Sequence, residues 1–140
     1  KMRKENQSIY PVSLPSIPTF RMTRRIKGKI ELEEAHERIM FADRVGMAGD
    51  WRKHGPVYYI PFSALYGVKT SNLITAGRCI SANSAWDIIR AIPVCSLTGE
   101  IAGTASALLC RHKKNSFGSL NINKLQRALK DQGVKIDEKV

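Results

Sequence analysis

Hydrophobic and polar positions change rhythm several times along this chain, and each change predicts an element. Over residues 22–32, Met22, Ile26, Ile30 and Leu32 share one side, while Arg21, Thr23, Arg25, Lys27, Lys29 and Glu31 share the other. That period of two predicts a half-buried strand. Arg24 falls on its apolar side, where a guanidinium needs an anion or a set of carbonyls, and Gly28 leaves room there for a close neighbour. Residues 31–45 read as a helix with an acidic first turn at Glu31, Glu33 and Glu34, with Ile39, Met40 and Val45 available for burial, and with Gly46 and Gly49 ending it. Residues 57–60 predict a short strand stopped by Pro61. Residues 72–76 predict a second strand running into Gly77, with a turn at Tyr66-Gly67 between the two.

The second half reads as helical: a short helix over 84–91, a longer one over 94–111 with Pro93 in its first turn, and a last one over 123–132. In that last helix Leu125 and Leu129 stand four apart, and Gly133 is the stop. On the longer helix Gly99, Gly103, Ser106 and Cys110 are spaced four, three and four apart. They line one side with Ala102 adjoining, and Leu97, Ile101 and Leu108 form the bulkier side. Glycine inside a helix costs roughly 1 kcal/mol relative to alanine, so two on one stripe predict a close approach to the backbone. A neighbouring strand or helix would account for it, and so would a flat cofactor. A glycine directly after a buried strand, followed by a helix N-terminus, also lets a phosphate or sugar come near the main chain.

Pro11, Pro15 and Pro18 make residues 1–20 an extended connector, leaving 21–140 as one unit. With 140 residues and 43% of them hydrophobic, the chain has material for one core. The net charge of +11 attracts phosphates, nucleic acid or an acidic protein surface, which keeps a basic non-enzymatic binding module open as an alternative. Zinc-finger spacing, an aromatic strand of the RNA-binding type and a basic heptad helix are all missing from the sequence, which argues against nucleic acid. Cys79, Cys95 and Cys110 share no metal-ligand spacing with one another or with His36, His54 and His112, so no metal site is expected. A charged stretch at 1–8 with no apolar run after it, and Pro93 and Glu100 inside the apolar stretch 91–110, lead to the expectation of a cytoplasmic chain without a membrane helix.

Five segments in order narrow the reading: TRRIKG at 23–28, GDW at 49–51, IPFSALYG at 60–67, NLITAGRCIS at 72–81 and TGEIAGTASAL at 98–108. Together they resemble the C-terminal part of the FAD-dependent oxidoreductase family of two-domain flavoproteins, over residues 18–133. The resemblance implies an α/β fold, the C-terminal part of a Rossmann-like FAD-binding domain with few strands and a long glycine/alanine-striped helix. It implies that Ala76, Gly77 and Arg78 approach the pyrophosphate and ribityl chain, and that Thr98, Gly99, Ala102 and Gly103 lie under the flavin, with the helix start facing its pyrimidine edge. Many related flavoproteins carry an acid just after the glycine, where this chain has Arg78. Arg24 is a candidate for binding a substrate or cofactor anion, and Arg90 is a helix-end cation that could face the flavin. The GxGxxG turn and the acidic ribose ligand, which hold the AMP half of the cofactor, are not in these 140 residues. The expected partners are therefore a missing N-terminal half and, through the surface it would cover, further copies of the chain. Weak or no FAD binding and no activity are expected of the fragment alone.

Overall fold

A computed structural model describes Ser13 and residues 24–138. The architecture is small and α/β: two antiparallel strands, β1 (Arg44–Gly49) and β2 (Val57–Pro61), followed by three helices, α1 (Trp86–Ile89), α2 (Ile92–Arg111) and α3 (Ile122–Asp131). Short 3-10 turns at Glu34–His36, Phe62–Ala64, Gly77–Cys79 and Phe117–Ser119 link them. The connector expected at 1–20 lies outside the described residues apart from Ser13, which is exposed.

The hairpin pairs Gly46 with Ile60, Met47 with Tyr59 and Ala48 with Tyr58, and a bulge between Arg44 and Gly46 turns Val45 into the core. Helix α2 packs against β1, the Gly77–Cys79 turn and α3, and its Val94, Thr98, Ile101, Ala105 and Leu109, which recur every three or four residues, are all buried. Gly46 makes the contact possible. A Cβ there would lie 2.9 Å from Leu97 Cδ2 and 3.2 Å from Ile101 Cδ1. Helix α3 starts at Asn121, whose side chain accepts a hydrogen bond from the Lys124 backbone N–H at 3.1 Å, and it buries Leu125 and Leu129. Its far end is tied to β1: Gln126 Nε2 donates to the carbonyls of Ala42 and Arg44, and Asp137 holds Arg44 and Lys130. Gly133, at φ +86, stops the helix as expected.

Three sequence expectations fail here. Among the described residues 24–32 no strand forms, only a single bridge between Leu32 and Ala82. The segment is instead threaded between two others: Ile26 N–H donates to Cys79 O, Leu32 N–H to Ser81 O and Lys29 N–H to Ser63 O, and Lys27 O accepts from Val68 N–H. Gly28 does leave room for a neighbour, since a Cβ there would stand 2.5 Å from Ser63 O. The helix expected over 31–45 is one 3-10 turn followed by β1, with Ile39 and Met40 exposed and Arg38 at φ +56. Pairing of Arg44–Gly49 with β2 takes the end of that segment into the hairpin and buries Val45. The strand expected over 72–76 is reduced to a bridge between Ile74 and Tyr66.

Candidate functional site

The two motifs that the sequence separates by twenty residues meet in space. The 3-10 turn Gly77–Cys79 sits on the first turns of α2, and Gly77 N–H donates to Thr98 Oγ1 at 2.8 Å. Thr98 is fully buried, and its hydroxyl in turn donates to Val94 O at 2.8 Å, with Cys95 O 3.0 Å away. One side chain therefore satisfies a buried N–H and fixes the turn to the helix. Gly77 has φ +63, and a Cβ on it would come within 3.1 Å of Cys95 Sγ, so both its backbone angle and its neighbour require glycine.

Gly77 and Thr98 thus face each other, with their polar groups occupied. Arg78 is exposed beside them, and Ala76 and Ala102 are half-buried. Gly99 and Gly103 are exposed, with no heavy atom of the described residues within 4 Å of a Cβ placed on either. The close neighbour expected over this stripe is not supplied by the described residues: the hairpin meets the other side of α2. Ser106 is half-buried, with its hydroxyl donating back to Ala102 O, and Cys110 is exposed.

The N-terminus of α2 is open as well. Ala91 caps it without any side-chain hydrogen bond, Pro93 has no N–H to give, and Ile92 is 82% exposed. The first-turn amides of Ile92 and Val94 therefore have no side-chain cap, at the positive end of a twenty-residue helix dipole. The Gly99 and Gly103 positions and this uncapped helix start are both exposed, and Gly103 also borders a groove lined by Ala128 and Gln132 of α3.

Arg90 does not face that site. Its guanidinium lies 5.3 Å from the ring centres of both Trp51 and Trp86, and Nε donates to Asp87 Oδ1 at 2.6 Å. Trp51 Nε1 donates to Asp87 O at 2.8 Å, which latches the loop after β1 onto the turn before α2. The same loop is held from within. Arg52 bonds the buried Asp50 through its backbone N–H, Nε and Nη2 and also reaches Glu34, and the Arg52 guanidinium holds the Asp50 carboxyl below the usual carboxylate range. Sequence reasoning missed both clusters, because Trp51, Asp50 and Glu34 acquire meaning only once the hairpin forms.

Arg24 is exposed and Arg25 pairs with Glu31 at 2.6 Å, so the apolar-side placement expected for Arg24 does not occur. Cys79 and Cys110 are exposed, Cys95 is partly buried against Gly77, and all three are free thiols. No cluster of three or more His, Cys, Asp or Glu able to hold a metal is found among the described residues. Helix α2, with a window of mean hydropathy 1.3 of which 28% is buried, is long and apolar enough to cross a membrane by length and composition. Pro93 in the first turn and Glu100 do not take it below that limit, which the core helix of a protein outside the membrane also passes.

A turn bearing an obligate glycine is thus pinned to the start of a long helix whose Gly99 and Gly103 are left uncovered by the described residues. The pattern described as FAD dependent oxidoreductase matches residues 3–129, and the chain belongs to that family. The match begins before residue 18, so it takes in most of the proline-rich connector. Neither a curated protein nor a solved structure matches the chain.

Proposed function

We propose that this chain forms the C-terminal, flavin-facing part of an FAD-dependent oxidoreductase whose site also takes in a segment carrying the GxGxxG turn and the ribose-binding acid. Family membership implies FAD and suggests oxidoreductase activity. The observation that carries the finer reading is the bare stripe of Gly99, Ala102 and Gly103 beside the pinned Gly77 turn.

FAD, when bound, supplies the ring that exchanges electrons or hydride with the substrate. The chain's own residues orient and polarise that ring. Gly99 and Gly103 let it lie against the helix backbone, and Ala102 adds a thin apolar contact. The open amides of Ile92 and Val94 stabilise negative charge on the ring edge nearest the helix start. Arg78 extends outward from the turn towards the pyrophosphate, where its charge suits a phosphate better than the hydroxyl an acid would bind. Thr98 acts at one remove: buried and fully bonded, it positions the turn and does not touch the cofactor. The apolarity of α2 is read as a helix awaiting protein and cofactor cover in a cytoplasmic enzyme, and not as a membrane span.

The test is a visible spectrum and a size-exclusion profile of the purified chain, before and after addition of FAD with the separately expressed complementary half. The chain alone is expected to be colourless and self-associated through its bare face, and the mixture yellow. Stoichiometric flavin on the chain alone would overturn the division of binding energy proposed here.

A further inference from the structure

Away from α2, a groove of about 510 Å³ is lined by Ile26, Lys27, Gly67, Val68, Lys69 and Thr70. Its floor is set by the bond from Val68 N–H to Lys27 O, and Ile26 lies close over Gly67, where a Cβ would meet it at 3.0 Å. Ile26 is half-buried and Val68 is 58% exposed, so the walls are apolar and reachable. Lys27 and Lys69 are among the lining residues, both exposed, and neither takes part in an ion pair among the described residues. Glu31, the nearest carboxylate in sequence, is engaged by Arg25.

We propose that this groove binds a small carboxylate with an apolar body, the chain or ring lying against Ile26 and Val68 and the carboxylate meeting the ammonium groups of Lys27 and Lys69. Its volume falls within the ordinary range for small-molecule sites, and apolar Ile26 and Val68 lining the groove together with two lysines select an amphiphilic anion over a sugar or a neutral lipid. The flavin reading is not needed for this proposal, because the groove is built by the 24–32 and 65–70 segments and not by α2.

Titration of the 140-residue chain with octanoate and with 1-octanol, by calorimetry at low salt, tests it without any flavin. Octanoate is expected to saturate one site, to bind roughly tenfold more tightly than octanol, and to weaken as sodium chloride is raised. The double variant Lys27→Gln/Lys69→Gln is expected to lose roughly tenfold in octanoate affinity. Lys124→Gln/Lys135→Gln, which removes the same charge elsewhere, keeps it. Val68→Glu, placing a carboxylate in the groove, is expected to abolish binding while leaving the circular dichroism spectrum unchanged. No octanoate binding, equal affinity for octanol, or equal losses in the two lysine variants would each overturn the proposal.

Discussion

The two sides of α2 follow opposite rules. On one, Val94, Thr98, Ile101, Ala105 and Leu109 are buried, Ile101 over Gly46 of the hairpin and Thr98 bonded to the glycine turn. On the other, Gly99 and Gly103 meet nothing within 4 Å among the described residues. The buried side is complete as it stands. The open side is tolerated only at a cost in helix propensity of roughly 1 kcal/mol per glycine, with no contact in the described chain to offset it. A sequence that keeps such a cost on one face of a well-packed helix is shaped by something outside that packing, and the family's flavin is the candidate.

The sharpest way to break this contrast is to damage the buried side. Ile101→Ala removes a fully buried side chain that reaches over Gly46, and it is expected to destabilise the chain by about 2–5 kcal/mol in urea unfolding. A loss below about 1 kcal/mol would show that α2 is loosely held and that its two sides do not differ in kind.

Next in size is the pin between turn and helix. Thr98→Val keeps shape but leaves the buried Gly77 N–H without its acceptor, for an expected cost of about 1–3 kcal/mol, whereas Thr98→Ser should retain most of the stability. If valine and serine behave alike, the hydrogen bond is not what seats the glycine turn.

A smaller effect is expected where α3 closes the buried side. Hydrogen bonds from Lys130 and Arg44 hold the Asp137 carboxyl below its ordinary range, and Arg52 does the same for Asp50. Their pKa values are lower folded than unfolded, so the unfolded chain binds protons first. The stability they contribute is full above the unfolded carboxylate value of about 4 and falls as pH drops through the lower folded values. Denaturation midpoints measured between pH 6 and pH 3 should fall, and should fall less in Asp137→Asn, which begins from a lower plateau.

What the sequence made legible follows the same division. The long helix, its first-turn proline, the last helix and β2 were readable because each is specified locally, by periodicity or by β-branched and aromatic runs, whereas the Asn121 cap that opens the last helix was not read. β1 was not readable. Gly46 and Gly49 look like helix stops until β2 is in place, and only then does Gly46 show itself as the point where Leu97 and Ile101 press in. The strand expected over 72–76 has Tyr66 as its one bridge partner among the described residues, which is too little pairing to make a sheet. In the candidate site, the family resemblance named the residues, and the structure brings two of them, Gly77 and Thr98, into contact. The division of labour among them was not legible, since nothing in sequence order tells that Thr98 turns inward to Gly77 while Gly99, one position on, faces out.

The smallest predicted change in stability is also the one that separates packing from function. Gly103 sits in the interior of α2 with open space above its Cα, so alanine there adds helix propensity and meets no clash. Gly103→Ala is expected to raise the stability of the chain by about 0.5–1 kcal/mol, opposite in sign to every substitution on the buried side. Leucine at the same position also forms helix well and, with no clash at its Cβ and a groove of about 430 Å³ beside it, should leave the fold intact as judged by circular dichroism and melting temperature. In the enzyme completed by its N-terminal half the outcome reverses, because the branched side chain would occupy the space over the helix where the ring is proposed to lie. The completed Gly103→Leu enzyme should then purify without flavin while its fold survives. Flavin content equal to wild type would show that the bare face serves something other than the cofactor, and a drop in the stability of the isolated chain would show that the face is covered from within after all.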